Sequence, residues 1–288
     1  MALRAATRGS ALARWQTDFI VGLLGVEVEV VVVQTEGDRR VDVPIEEIGG
    51  RGVFVKEVQA AVLDGRADFA VHSAKDLPSS AELQPDGLVI ACVPERGDPR
   101  DCLVGSTLDG LPVGGTVATG SVRRRAQLAN LRPDLTFTGL RGNIETRLSK
   151  APQFDAVVMA AAALVRLGRS SAMTEVLDPL VLLPQVAQGA LAVECRADDA
   201  ELLGRLRAIE HTASRRAVDA ERAFLAQLGG ACDLPVGALA SVDGDSITIE
   251  GLMASFDGRV CVRETLTGGD PAALGRALAV TLMSKLES

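Results

Sequence analysis

The chain has 288 residues, 47% of them hydrophobic, and a net charge of −8. That length suits one to three domains with a large core, and the negative balance argues against a general nucleic-acid or anionic-membrane surface. Twenty-nine glycines against seven phenylalanines, one tryptophan and no tyrosine fit α/β packing better than an aromatic-rich β sandwich. The five cysteines are odd in number and show no C-x-x-C spacing, and there are only two histidines, so neither a disulfide framework nor a metal site is expected. The apolar run near 156–165 is too short to cross a bilayer. "MALRAATRGS" lacks the apolar core of a signal peptide. The expectation is a reduced, cytoplasmic protein.

Residues 2–6 form an apolar run that "TRGS" turns, and Ser10 stands as N-cap to a helix over 11–24. A strand over 26–33 leads into the polar, Gly-rich stretch 34–53, a loop long enough to be a functional lid. A helix over 55–64 and a strand over 67–72 follow, and "VHSAKDLP" closes that strand. After a strand at 88–93, "PERGDPRD" reads as a crossover. "GTVATG" at 115–120 then repeats the opening strand, Gly-Ser turn and helix. Strands at 134–138 and 154–159 alternate with helices at 143–149 and 160–167. A strand at 190–195 returns toward the first half, and helices at 199–207 and 212–228 lead into "GGACDLPVG". Alternation in "SITIEGLMAS" and "RVCVRETLT", then a helix from 271, marks a separate α+β module. The expected organisation is an α/β lobe from 1–93 with 190–208, a second α/β lobe over 98–186, and the α+β unit over 212–288.

Charge placement points to chemistry. Residues 116–150 hold seven basic and two acidic groups, a local +5. A solvated basic face would explain a cluster of that kind. These, however, are mostly arginines, suited to bidentate carboxylate or phosphate pairing, and they gather at a strand–helix turn where anions bind. Thr119, Ser121, Arg123 and Arg124 occupy that position in one half, Arg8 and Ser10 in the other. Facing each other, the two ends would make an anion cleft like that of a two-lobed solute receptor. In "VHSAKDLP" a Ser–His–Asp triad is disfavoured because no nucleophile elbow is present. His72 reads as a packed residue, and Asp76 as either a proton-moving carboxylate or a structural salt bridge. Cys232, in a Gly-rich turn, reads either as an attachment point or as a small hydrophobe.

The ordered set "ATRGSALARWQ", "TEGD", "GGRGVFVKE", "DFAVHSAKDLP", "RGDPRD", "LRGNIETRLSK", "LVRLG", "AQGALAVECR" and "GGACDLPVG" resembles the hydroxymethylbilane synthase (porphobilinogen deaminase) family along essentially the whole chain. The resemblance implies two periplasmic-binding-protein-like α/β lobes with a central cleft and a small α+β C-terminal domain. It implies a transferase that joins four porphobilinogen units into hydroxymethylbilane, each losing ammonia, on a dipyrromethane cofactor held by a thioether to Cys232. It makes Asp76 the catalytic carboxylate. Lys75, Thr119, Ser121, Arg123, Arg124 and Arg147 become cofactor contacts, and Arg8, Ser10, Arg141, Arg147 and Gln188 substrate contacts. Asp38, Arg51 and Phe54 belong to a lid loop. A monomer whose product passes to uroporphyrinogen-III synthase, with no nucleic-acid or membrane partner, is the matching expectation. The chain departs from the family's usual pattern at Ala118 and Gly120 ("ATGS" for G-T-S-S), at Arg51 (commonly lysine), at Ala231 and at Ala187 ("AQG" for "GQG"). The alternative is a cytosolic anion-binding module of the solute-receptor type.

Overall fold

The computed structural model describes residues 2–39, 54–230 and 234–287. Strand β1 (Leu3–Arg8) turns through Gly9 and Ser10 into helix α1 (Ala11–Leu24). The Ser10 hydroxyl accepts from the Ala13 amide, and Gly25 ends the helix at a φ of 63°, so both ends are capped by the residues suited to it. Strand β2 (Val28–Val33), the single turn α2 (Glu36–Arg39), helix α3 (Lys56–Leu63), β3 (Phe69–Ser73) and β4 (Leu88–Cys92) follow. The expected loop over 34–53 thus begins with a helical turn; its residues 40–53 lie outside the described ones.

The second lobe comprises β5 (Asp101–Val104), β6 (Thr116–Ala118), α4 (Val122–Leu131), β7 (Thr136–Thr138), α5 (Ile144–Lys150), β8 (Ala156–Ala160), α6 (Ala161–Arg166) and β9 (Glu175–Val176). The chain then re-enters the first lobe as β10 (Leu191–Arg196) and α7 (Ala200–Arg207). The sheets run β2-β1-β3-β10-β4 and β7-β6-β8-β5-β9. They share one plan: three parallel strands, then an antiparallel strand reached through a crossover.

That plan decides what reaches the cleft. Because β10 runs against β3, its first residue Leu191 pairs with Ser73, the last of β3. Likewise Asp101, the first residue of β5, pairs with Ala160, the last of β8. Each crossover therefore ends at the carboxyl edge of the parallel strands, where open α/β sheets bind ligands. Strands β5 and β9 went unanticipated in sequence. Each is very short, and β5 is buried along its whole length, so neither shows the alternation that betrays a half-exposed strand.

The C-terminal unit packs α8 (Thr212–Gln227) and α9 (Pro271–Glu287) on an antiparallel sheet of β11 (Val236–Asp243), β12 (Ser246–Ala254) and β13 (Cys261–Gly268). Strand β11 also escaped the sequence reading, since its start, "VGALAS", is small-residue rich. Gly275 lies against the Ala220 carbonyl and the Phe224 amide of α8, leaving no room for a Cβ. The core of this unit takes in Ala74 and Leu77 of the first lobe, and Arg222 of α8 donates to the Leu77 and Pro78 carbonyls at 3.3 and 2.6 Å. Glu221, fully buried, binds both crossovers: it accepts from Arg96 at 2.6 and 3.1 Å and from the Ala187 amide at 2.6 Å. Among the described residues no helix is long and apolar enough to cross a membrane.

Candidate active site

Strand β3 ends at Ser73, and a tight 3-10 turn over Ala74–Asp76 sets Lys75 and Asp76 on the cleft edge. Asp76 lines a cavity with Arg8, Ser10, Gln16, Phe54 and Ser73. The Arg8 guanidinium lies 4.2 Å from the centroid of the Phe54 ring, a cation–π contact, and Phe54 fills the space where Gly37 lacks a side chain. His72 is also among the residues around this cavity, and its Nε2 lies 3.0 Å from Glu194 Oε2 on β10 with both side chains buried. Burial works to raise the Glu194 carboxyl, but the contact with His72 and the hydrogen bonds from Gln59 outweigh it and hold the group below its ordinary value. His72 is thus a packed residue paired by distance with Glu194, its Nε2 outside hydrogen-bond geometry.

In the second lobe the Ser121 hydroxyl caps α4, accepting from the Arg124 amide, and Thr119 Oγ1 accepts from the Ser121 amide at 3.2 Å. The oxygens of Ser10 and Ser121 are both occupied as helix caps; their hydroxyl protons remain to donate. The basic window is not one solvated face. Arg123 and Arg124 point inward with 3% and 7% of their side chains exposed. Arg125 donates to the Phe256 carbonyl and Arg132 pairs with Asp134. The inward pair meets Asp101: Arg123 Nη2 at 2.7 Å, Arg124 Nη2 at 2.6 Å and Arg124 Nε at 3.1 Å. Burial acts to raise the Asp101 carboxyl, but the two guanidiniums hold it well below the usual carboxylate range.

Gln188, expected among the substrate contacts, is fully buried. Its Nε2 donates to Asp101 and to the Pro99 carbonyl, both at 2.8 Å, and its Oε1 accepts from Lys75 Nζ at 3.2 Å. A carboxylate only accepts, so the amide can face only one way. Burial first, and then the Arg124 charge, push Lys75 down to about 8, with Asp76 and Asp101 opposing. Arg147 donates to the Gly142 carbonyl at 2.8 Å. Burial and Arg124 lower it to about 10, and Asp76 works the other way, placing these two groups in one field across the cleft. Among the described residues Arg141 Nη1, Arg123 Nε and His72 Nε2 are buried without a partner in hydrogen-bond geometry.

The fold therefore gathers Lys75, Asp76, Arg123, Arg124, Arg147 and Gln188, with Arg8, Ser10 and Phe54 in the adjoining cavity. Asp38 sits within α2. Arg51 and Cys232 lie outside the described residues. Gly230, two positions before Cys232, packs directly on Ser80. Asp101 was missed in sequence, although an acid heading the wholly apolar run "CLV" is a signal that could have found it. Cations in excess around few carboxylates can bind an anion with several acid groups, and a carboxylate at the mouth can move a proton.

Comparison with known proteins decides the family. "Porphobilinogen deaminase, dipyromethane cofactor binding domain" matches residues 3–204, and "Porphobilinogen deaminase, C-terminal domain" matches residues 216–284. The chain belongs to the porphobilinogen deaminase family. A porphobilinogen deaminase of Nitratidesulfovibrio vulgaris is 46% identical over 294 residues, covering 98% of this chain and 92% of that protein. One of Roseiflexus castenholzii is 49% identical over 289 residues, covering 96% and 94%. An ancestral cationic amino acid solute binding protein of known structure shares 16% identity at a TM-score of 0.41, covering 72% and 87%, too distant to carry an argument.

The family's cofactor fits the residues present. A dipyrromethane bears acetate and propionate groups on each ring, and this cleft offers buried donors on Arg141 and Arg123 that no described protein group satisfies. Together with Lys75 and Arg124 they form the donor set that several carboxylates require.

Proposed function

We propose that the protein is a hydroxymethylbilane synthase, joining four porphobilinogen units head to tail with loss of ammonia from each. The observation that carries the reading is the carboxylate Asp76 at the mouth of a cleft dominated, among the described residues, by Lys75, Arg124 and Arg147. An anion receptor gains nothing from a carboxylate there; a deaminating transferase needs one. Each porphobilinogen brings an acetate and a propionate, which Arg8, Ser10, Arg141 and Arg147 would hold, while Lys75, Thr119, Ser121, Arg123, Arg124 and Arg147 would hold the cofactor. Bound through Cys232, the dipyrromethane supplies the nucleophilic pyrrole carbon that starts the chain.

Asp76 then has two tasks. Its carboxyl passes the proton with which the aminomethyl nitrogen leaves as ammonia. Its carboxylate stabilises the positive charge that develops on the incoming ring's nitrogen. The arginines fix the acid groups, so that the reacting carbons meet in one orientation. With this reading go the division into lobes 1–93 with 190–208 and 98–186 and a third domain at 212–288. A cytoplasmic monomer that hands its product to uroporphyrinogen-III synthase completes it.

Intact mass of the purified protein, before and after incubation with porphobilinogen, tests the proposal beside a Cys232→Ser variant. The wild type should be heavier by two porphobilinogen units less two ammonias, and the variant should run at polypeptide mass. Both remaining at polypeptide mass after incubation would favour a solute receptor instead.

A further inference from the structure

We propose that Asp101 is a positioning residue of this site, a built-in anion that presets Arg123, Arg124 and, through Gln188, Lys75 before any carboxylate ligand arrives. The proposal rests on the functional reading above. It begins with topology: β5 runs against β8, so its first residue emerges at the carboxyl edge of the parallel strands, at the end of the first crossover. Gln188 stands at the end of the second crossover, just before β10. Asp101 and Gln188 are thus inward groups at the ends of the two crossovers, and they are bonded to each other at 2.8 Å.

The carboxylate is fully buried and accepts from Arg123 Nη2, Arg124 Nε, Arg124 Nη2 and Gln188 Nε2. Three of these bonds fall on Oδ1 and one on Oδ2 of a side chain with no exposed surface, so Asp101 is committed to its protein donors and does not itself bind a ligand. Its effect is on the cations. Arg123 and Arg124 occupy the first turn of α4, where the positive end of the helix repels them, and both are desolvated. The Leu183 and Val158 carbonyls also accept from Arg123 Nη1 and Arg124 Nη1, but they carry no net charge, so without Asp101 the two guanidiniums lose their counter-charge here and gain by turning toward water, taking donors away from the cleft. One carboxylate cannot neutralise two guanidiniums and the Lys75 ammonium, so the surplus positive charge is left facing the cleft for the ligand's acid groups. Lys75 responds to the same anion, since Asp101 works against the lowering of its proton affinity by burial and Arg124.

The test uses wild type, Asp101→Asn and Asp101→Glu, each as apoprotein for cofactor loading and as holoenzyme for kinetics. Cofactor loading is followed by intact mass, porphobilinogen kinetics by KM and kcat, and the alkaline limb of activity by titration. The Asn variant should melt cooperatively, load at least tenfold more slowly, and raise KM at least tenfold with a smaller fall in kcat. Its alkaline limb should move to lower pH, because Lys75 then faces Arg123 and Arg124 with Asp76 as the one carboxylate left opposing them among the described residues. The Glu variant should recover part of each change. An Asn variant with wild-type loading, KM and alkaline limb overturns the proposal. If the Asn protein does not fold, the Glu variant decides: raised KM with kcat kept supports it, and wild-type KM overturns it. Wild-type protein that gains no mass from porphobilinogen would sink the functional reading instead. Titration with citrate as a polycarboxylate probe would then still report on Asp101, tenfold weaker binding by the Asn variant supporting the proposal and equal binding overturning it.

Discussion

Within eight residues, "VHSAKDLP" sends neighbouring polar groups to different tasks. His72 closes a buried pair with Glu194, Ser73 accepts from Gln16 at 2.8 Å, Lys75 reaches back to Gln188, and Asp76 is left at the cleft mouth. The 3-10 turn after β3 produces the split, because it ends the strand's two-residue alternation. Asp76→Asn keeps the shape and removes the charge. Ammonia release from porphobilinogen should fall by about 10²–10³-fold, the usual loss when one transition-state electrostatic partner is removed. Cofactor content, read by mass, should stay at the wild-type level, because the carboxylate binders are the cations and not Asp76.

At the scale of the element, the segment entering β10 carries the local conflict. Ala187 has a φ of 58°, and among the described residues it alone, apart from glycines, has a positive φ. A side chain in that region costs about 1–2 kcal/mol. The Ala187 amide is held by Glu221 and the next residue is Gln188, so the strained backbone aims the amide that links Lys75 to Asp101. Ala187→Gly should relieve the strain, less about 0.5–1 kcal/mol for the freer unfolded chain. A net gain of about 0.5–1 kcal/mol in urea unfolding is expected, with the Gln188 contacts kept. A net loss would mean that the Ala187 methyl, which is buried in the C-terminal core, contributes more than the strain removes.

Across the whole molecule, three units meet on two side chains. Arg96 on the first crossover pairs with Glu221 of α8 and also donates to the Gln188 carbonyl on the second crossover at 2.8 Å. Glu221 further accepts from the Ala240 amide of β11 at 2.9 Å. Arg96→Leu would leave a buried carboxylate without its cation, a change that typically costs about 3–5 kcal/mol. Urea unfolding should show a loss of that order, while an exposed pair such as Arg205 with Glu201, neutralised as a control, should shift it by under about 1 kcal/mol.

Local chemistry alone determined much of this protein. The cap at Ser10, helical spacing in α1, the alternation of β12 and the ordered motifs marked the elements, the family and the residues that carry charge. The sequence could name Asp76, Arg123 and Arg124 because their types and their place at strand–helix turns are properties of short windows. What only the tertiary structure decided is how those charges are balanced. Asp101 lies 22 positions from Arg123, and Gln188 lies 87 from Asp101 and 113 from Lys75. They meet because two antiparallel strands return across the crossovers and begin where the parallel strands end. Strand pairing over such separations leaves no local periodicity to read, and burial, which gives an ion pair its strength and shifts Lys75, exists only once both lobes are assembled.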